Sequence, residues 1–345
     1  MTMRREANFF DLLRVVAAAA VVVGHAWPLL GIGGVPTYAG ISIHHLGVYV
    51  FFTISGYLLA RSWSRAPQPL PFLTRRVFRI FPALVVTVVL TTFAIGPVAT
   101  AMSAKDYWGN PQAWGYLQGV ALMPTYELPG VFHSNPSPAV NGSLWSLGPE
   151  FCCYLALVAL GLLTHRVSAV MRVGTAVGLA VAIFAVPITG TLRTTLIAVV
   201  FFAIGSLMAE LPAKFRIPAW MIPILVVVPL FFESAIGVIA TWLLLPIAIV
   251  TLGGKRSRFA TWFHRGGDPS YGMYLWAFLV QQIIIGQFGV LPLWSNIVVV
   301  LALSAALGYL SWHLVEKHAI ATGASLAKRV WQWQVSGRSS AVVRS

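Results

Sequence analysis

The feature that most constrains this chain is a succession of apolar runs, each close to the length that crosses a bilayer. A membrane-spanning helix needs about 20 mostly apolar residues. Ten stretches meet that need: residues 9–29, 46–63, 76–96, 144–164, 170–188, 193–210, 217–232, 235–252, 270–288 and 292–315. The seventh and eighth are divided only near Glu233 and Ser234. None alternates apolar and polar residues as a barrel strand does. In lipid, backbone groups must then bond within helices. The fold expected is all-α: a polytopic membrane helix bundle of about ten transmembrane helices. Composition agrees. Charged residues make up 9% of the 345-residue chain and apolar residues 58%, whereas soluble domains carry about 25% charged residues. Such a surface suits lipid, and the same numbers exclude a disordered chain, a coiled coil or a disulfide scaffold.

The net charge of +14 invites a nucleic-acid reading, but the distribution of basic residues argues against it. They form short clusters between apolar runs: Arg4 and Arg5; Arg61, Arg65, Arg75 and Arg76; Arg166 and Arg172; Lys214 and Arg216; Lys255, Arg256, Arg258 and Arg265; Lys317, Lys328, Arg329, Arg338 and Arg344. With ten spans, all of these fall on one side, and only Lys105 and Arg193 fall on the other. The positive-inside rule puts that basic side, with both termini, in the cytoplasm. The first run contains Arg14 and has no convincing cleavage site after it, so it reads as an anchor and not a signal peptide. Residues 97–143 form a long outer loop with Tyr107, Trp108, Trp114, Tyr116 and Tyr126; loops this long are usually functional or disordered. Residues 1–318 read as one integral-membrane domain and 319–345 as a basic cytoplasmic tail lying on the membrane surface. Cys152 and Cys153 are the only cysteines and read as two buried thiols.

Ionisable groups inside spans are costly and mark functional sites. Arg14 and His25 lie eleven positions apart in the first run. Eleven steps of 100° return to nearly the same direction, so both share one face, about 16 Å apart along the axis. Asp11, one turn before Arg14, can pair with it. In the third run Arg76 and Arg79 share a face at i, i+3. Arg79 lies within apolar sequence and needs a partner; a phosphate-bearing ligand would supply one, since guanidinium binds phosphate in a fork. Glu150 is about two turns into the fourth run, with Ser143, Ser146 and Tyr154 on its face. Its apparent depth from the outer surface matches that of His25, so the two can form a base and its orienter. Residues 51–57, Phe-Phe-Thr-Ile-Ser-Gly-Tyr, put small polar groups mid-span, which favours close helix packing. Tyr271, Tyr274, Phe278, Gln281 and Gln282 make a polar and aromatic stripe on the ninth run. His44 and His45 are adjacent and expected to point apart, so no metal site is assigned. Asn141-Gly-Ser fits a glycosylation pattern weakly, being at a span entrance. No phosphate-binding glycine loop, dinucleotide fingerprint or HExxH is present.

Together these segments resemble the acyltransferase-3 family of integral-membrane acyltransferases, from about Phe10 to His318. The resemblance is carried by Arg14 and His25 with ten residues between them, by residues 51–57, by Arg76-x-x-Arg79 followed by Ile-Phe-Pro82, by Asn141-Gly-Ser-Leu-Trp-Ser-Leu-x-x-Glu150, by Ser270-Tyr-Gly-Met-Tyr-Leu-Trp276, and by Val315-Glu316-Lys317. One departure is Ala277, where the family commonly has His. The resemblance implies transfer of an acyl group, often acetyl, from cytoplasmic acyl-CoA to a hydroxyl of a cell-surface or exported glycan such as exopolysaccharide or lipopolysaccharide. It implies an enzyme of the bacterial cytoplasmic (inner) membrane, with acyl-CoA (acetyl-CoA) as donor substrate, a glycan acceptor, membrane lipid around it, and no nucleic acid or metal. On that reading Arg14, Arg76 and Arg79 hold the CoA phosphates, His25 is the general base and Glu150 orients it. Ser146, Tyr154, Tyr271 and Tyr274 line the substrate. The spacing between Arg14 and His25 is roughly the reach of an extended pantetheine arm, taking about 1.3 Å of rise per bond by analogy with extended backbone. Two other readings are a proton-coupled transporter or flippase of a glycan intermediate, which should show repeat symmetry and broken helices, and a scaffold for polysaccharide synthesis, in which His25 would be dispensable.

Overall fold

The computed structural model describes residues 7–163, 165–211, 217–232 and 234–342. The basic residues Arg4, Arg5, Lys214, Arg216 and Arg344, and the acid Glu233 at the seventh-to-eighth division, lie outside the described residues. Among the described residues the chain is mostly helical, with one short hairpin and an irregular stretch between Ala121 and Gly142. Helix α1 (Phe10–Leu29) leads into that hairpin, β1 (Thr37–Tyr38) and β2 (Ile41–Ser42). Ala39 and Gly40 take positive φ, 46° and 80°, at its turn. There follow α2 (Ile43–Arg65), α3 (Pro69–Leu90), the short α4 (Gly96–Ala99), α5 (Ala104–Gly109) and α6 (Pro111–Gly115), then α7 (Leu147–Gly161), α8 (His165–Ala185), α9 (Gly190–Met208), α10 (Ile222–Val227), α11 (Ser234–Gly253), α12 (Arg258–Arg265), α13 (Ser270–Phe288), α14 (Leu293–Ser311) and α15 (Lys317–Val342).

Among the described residues, eight helices are long and apolar enough to cross a membrane. The expected run 217–232 is instead a short, broken piece, Ala219–Phe231, with Pro223 and Pro229 at the starts of its helical segments. The run 270–288 forms a full helix of 19 residues, but Gln281, Gln282 and Gln287 lower its hydropathy, and most of it is buried. The final apolar stretch exceeds expectation: Leu293–Gln334 runs for 42 residues. At 1.5 Å per residue that is about 63 Å, twice the hydrocarbon thickness, so it must project beyond the bilayer. Its α15 portion packs along α3.

Helix α2 is the central post, flanked by α1 and α9. Its close packing is set by glycine: a Cβ on Gly56 would collide with the Phe202 carbonyl, and one on Gly205 with the Thr53 carbonyl. The small residues of 51–57 therefore act as expected. Two π turns interrupt long helices, at Thr91–Ile95 and Trp312–Glu316. The second turns Glu316 inward, where it is almost fully buried.

Two sequence expectations are corrected. Residues 97–143 are a packed cap: Tyr107, Tyr116, Leu128, Val131 and Val140 are buried, and the Tyr107 hydroxyl donates to the Thr92 carbonyl at 2.9 Å. Trp114 and Tyr126 of the same segment stay exposed. Cys153 is buried but Cys152 is exposed, because neighbouring helical residues point about 100° apart.

Candidate active site

The site is built at two levels of the bundle, one at the end carrying the basic loops and one toward the hairpin. At the basic level, Arg14 pairs with Asp11 at 3.1 Å, as its spacing predicts, and lies 3.6 Å from Asp268. Asp268 also receives Arg79 at 2.6 Å, and Arg79 in turn lies 3.5 Å from Glu316. The Arg79 guanidinium is sandwiched by Tyr271 and Trp312, each ring centroid 5.9 Å away. Asp268 accepts from the Ser270 backbone N–H at 3.2 Å and from its hydroxyl at 2.5 Å. Burial opposes the Asp268 charge, but Arg79, Arg14 and Ser270 outweigh it and hold this carboxyl below the usual carboxylate range. Glu316 accepts from the Ser311 hydroxyl at 2.9 Å.

Arg79 therefore has its partners within the protein, and a ligand phosphate is not required to explain it. Arg76 differs. Its guanidinium lies over the Phe72 ring at 5.4 Å, and its buried Nε has no hydrogen-bond partner. Arg14, Arg75 and Arg79 are within electrostatic reach of it. A concentration of positive charge with an unpaired donor is suited to an anion.

Above this cluster is a narrow cavity lined by Val48, Phe51, Ser146, Glu150, Tyr271 and Tyr274, among others. The Glu150 carboxylate accepts from Ser55 at 2.7 Å and from Tyr154 at 2.6 Å. The stripe on α13 mostly ties neighbours together. Tyr271 donates to the Ile80 carbonyl at 2.9 Å. Tyr274 hydrogen-bonds Ser146 at 2.7 Å and donates to the Ser143 carbonyl. Gln281 donates to Asn296 at 2.8 Å, and Gln282 caps the Ser137 and Ala139 carbonyls. Asn141 is fully buried and donates to the Leu275 carbonyl at 2.8 Å, so it is no glycosylation acceptor.

At the hairpin level sits His25. Its Nδ1 lies 2.8 Å from the Val21 carbonyl. A carbonyl only accepts, so Nδ1 carries the proton and Nε2 keeps the lone pair. The ring packs 4.9 Å from His44 and 5.3 Å from Phe278, centroid to centroid. His44 and His45 do not point apart: their centroids are 4.2 Å from each other, since adjacent residues in a first helical turn differ by 100°, not 180°. The buried Nδ1 of His44 has no partner. Among the described residues no three His, Cys, Asp or Glu are arranged to hold a metal ion.

The expected pairing of His25 with Glu150 is absent, and so is their common depth. Glu150 is bonded to Ser55, which lies eleven residues along α2 from His44, the neighbour of His25. That is about 16 Å of helix. α7 is preceded by a turn of 3-10 helix at Gly142–Ser146, but its extra rise over five residues is only about 2.5 Å; the depth of Glu150 is set by the packing of α7 on α2 at Ser55 and not by anything within its own helix. Arg14 and His25 do share the unbroken helix α1, as expected. Sequence reasoning assigned no role to Asp268, and Glu316 entered only within a motif. The available signal was scarcity: with only nine acidic residues against 23 basic ones, each acid beside an apolar helix is a candidate partner for an intramembrane Arg.

A family model described as an acyltransferase domain, that of the acyltransferase-3 family, matches residues 7–313. The O-acetyl transferase of Shigella phage Sf6 is 29% identical, over 90% of this chain and 96% of its own length. Nodulation protein 10 of Rhizobium leguminosarum bv. viciae is 33% identical over 44% of this chain and 43% of its own. The regulator of hypoxia-inducible factor 1 of Caenorhabditis elegans is 31% identical over 35% of this chain and 24% of its own. No solved structure matches.

Proposed function

The chain belongs to the acyltransferase-3 family of integral-membrane acyltransferases, and from that premise we propose that it moves an acyl group, most simply acetyl, from cytoplasmic acyl-CoA to a hydroxyl of an exported or cell-surface glycan. The acetyl assignment follows the phage relative, an O-acetyl transferase. The observation that carries the reading is α1 itself: one unbroken helix holds Arg14 near one end, in electrostatic reach of Arg76, and His25, with its Nδ1 bonded to the Val21 carbonyl, near the other.

In this reading the CoA phosphates meet Arg76 first, because its Nε is unpaired, with Arg14 and Arg79 adding field from their ion-paired positions. The cavity at Tyr271, Glu150 and Tyr274 is about 30 Å³, room for about one or two waters, so it would have to widen for the pantetheine arm to pass from the arginines toward His25. The acceptor hydroxyl arrives from the hairpin end, in the outer half of the membrane. His25 Nε2 removes the hydroxyl proton as the oxygen attacks the thioester carbonyl. The new ester C–O bond forms, the C–S bond breaks, and the imidazolium returns the proton to the departing CoA thiolate. The Val21 carbonyl, and not Glu150, holds the His25 ring in the required tautomer. Glu150 is a positioning group, anchored by Ser55 and Tyr154 on the donor path. The enzyme would work in a bacterial inner membrane with residues 1–318 as the working domain and 319–345 as a cytoplasmic tail.

Mass spectrometry of surface glycans from cells with and without the protein tests this directly. The expected result is one acyl unit fewer per modified sugar when the protein is missing. Unchanged acylation with a loss of total exported glycan would replace this reading with transport.

A further inference from the structure

Helix α12 is short, polar at both ends and oddly exposed. On a helical wheel Arg265, Arg258, Trp262 and Phe259 follow one another around one arc. Phe259 is 53% and Trp262 67% exposed, with ring centroids 6.0 Å apart. The opposite arc is docked. Ala260 is buried, the Thr261 hydroxyl accepts from the Ala7 N–H at 2.9 Å, and His264 meets Asp11 at 2.5 Å. The Ser257 side chain caps the helix by accepting from the Ala260 N–H at 3.0 Å. The exposed aromatics are thus not a packing defect of a loose segment. A well-anchored helix presents them beside two arginines, and Lys255 and Arg256 immediately precede it.

We propose that the outward arc of α12 is a docking surface for anionic phospholipid in the leaflet at the basic end of the bundle. The chemistry selects this occupant. Paired exposed aromatics flanked by basic side chains match the boundary between acyl chains and negatively charged headgroups. The surface carries no acidic residue between Lys255 and Arg265, so a zwitterionic or cationic partner gains nothing from its charge. The position fits as well. α12 directly joins α11, which is apolar enough to span, to Asp268 and α13, so it lies where the chain leaves the hydrocarbon. This surface is independent of the acyl-transfer chemistry.

Hydrogen exchange of the full chain in nanodiscs tests it. One disc is phosphatidylcholine alone, and the other has a third of its lipid replaced by phosphatidylglycerol. Each basic side chain near an anionic surface contributes roughly a fivefold preference, so Arg258 and Arg265 together give about 25-fold, and the amides of residues 258–265 should exchange up to about 25-fold slower in the anionic disc. Arg258→Gln combined with Arg265→Gln should remove most of that difference. Phe259→Ser combined with Trp262→Ser should speed exchange in both discs. All four side chains are exposed, so these variants should remain folded and monodisperse. Equal exchange of the unsubstituted protein in both discs overturns the proposal. So does an aromatic variant as protected as the parent, or full slowing in neutral discs on adding inorganic phosphate, which would make this a soluble-anion site.

Discussion

The two levels of the site handle polarity in opposite ways. At the basic level, Arg14 and Arg79 share Asp268 and add Asp11 and Glu316, so that buried charge is matched by buried charge. At the hairpin level, among the described residues, His25 and His44 meet no carboxylate; His25 Nδ1 donates to the Val21 carbonyl one turn back in α1, and His44 leaves a buried nitrogen unpaired. The contrast follows from cost. A guanidinium is permanently charged, so burying it without a partner is costly, whereas an imidazole can be buried neutral and keep its lone pair available. The ion-paired level is therefore suited to structural support, with the unpaired Arg76 Nε beside it left for an anion, and the histidine level to proton transfer.

Breaking the histidine level should have the largest effect. His25→Ala is expected to lower acyl transfer by about 10²–10⁴-fold per folded molecule, the range for loss of general acid–base help. The measurement is turnover normalised to monodisperse protein. Substantial per-molecule activity would end the base assignment and leave His25 as a packing residue. The ion-paired level should respond through stability instead. Removing one partner of a buried pair typically costs about 3–5 kcal/mol, so Asp268→Asn should unfold at distinctly lower temperature, at the lower end of that range because Arg14 retains Asp11 and Arg79 retains Glu316. The folded carboxyl lies below its ordinary range. Its contribution is therefore complete at neutral pH and is lost as pH falls through the folded value, so the parent and Asp268→Asn should converge only below about pH 4. A gap that widens on acidification would contradict the pairing.

Arg76 and Arg79 sharpen the same contrast. Arg76→Ala should keep its fold and lose about 1.5–3 kcal/mol of acyl-CoA affinity, the worth of a charge-assisted contact. Lysine should restore only part, since it lacks the fork. Arg79→Ala should instead lose folded protein, because it removes the arginine paired with the buried Glu316 and leaves Asp268 with Arg14 at 3.6 Å. Calorimetric titration beside thermal unfolding separates the two, and equal behaviour would erase the distinction between paired and unpaired arginines. Glu150→Gln should be mildest, within about tenfold of the parent, because an amide oxygen still accepts from Ser55 and Tyr154 at a cost of about 1 kcal/mol. A loss as deep as that of His25→Ala would return Glu150 to the chemical step.

Much of this was legible before any coordinates. Run lengths and the scarcity of charge require a helical membrane bundle, because lipid leaves the backbone no other way to satisfy itself. The eleven-residue spacing of Arg14 and His25 sets their shared face, because a continuous helix fixes angle and rise together. Asp11 and Arg14 pair for the same local reason. The tertiary structure decided everything that depends on where one helix meets another. It gave Arg79 to Asp268 and Glu316, which lie 189 and 237 positions away. It put Glu150 against Ser55 of α2 and not beside His25, through the packing of α7 on α2. It brought His44 against His25 by folding a two-strand hairpin between α1 and α2. Spacing within a helix is a local property of the backbone, but depth across a bundle depends on loops, turns and glycine contacts that only the packed molecule reveals.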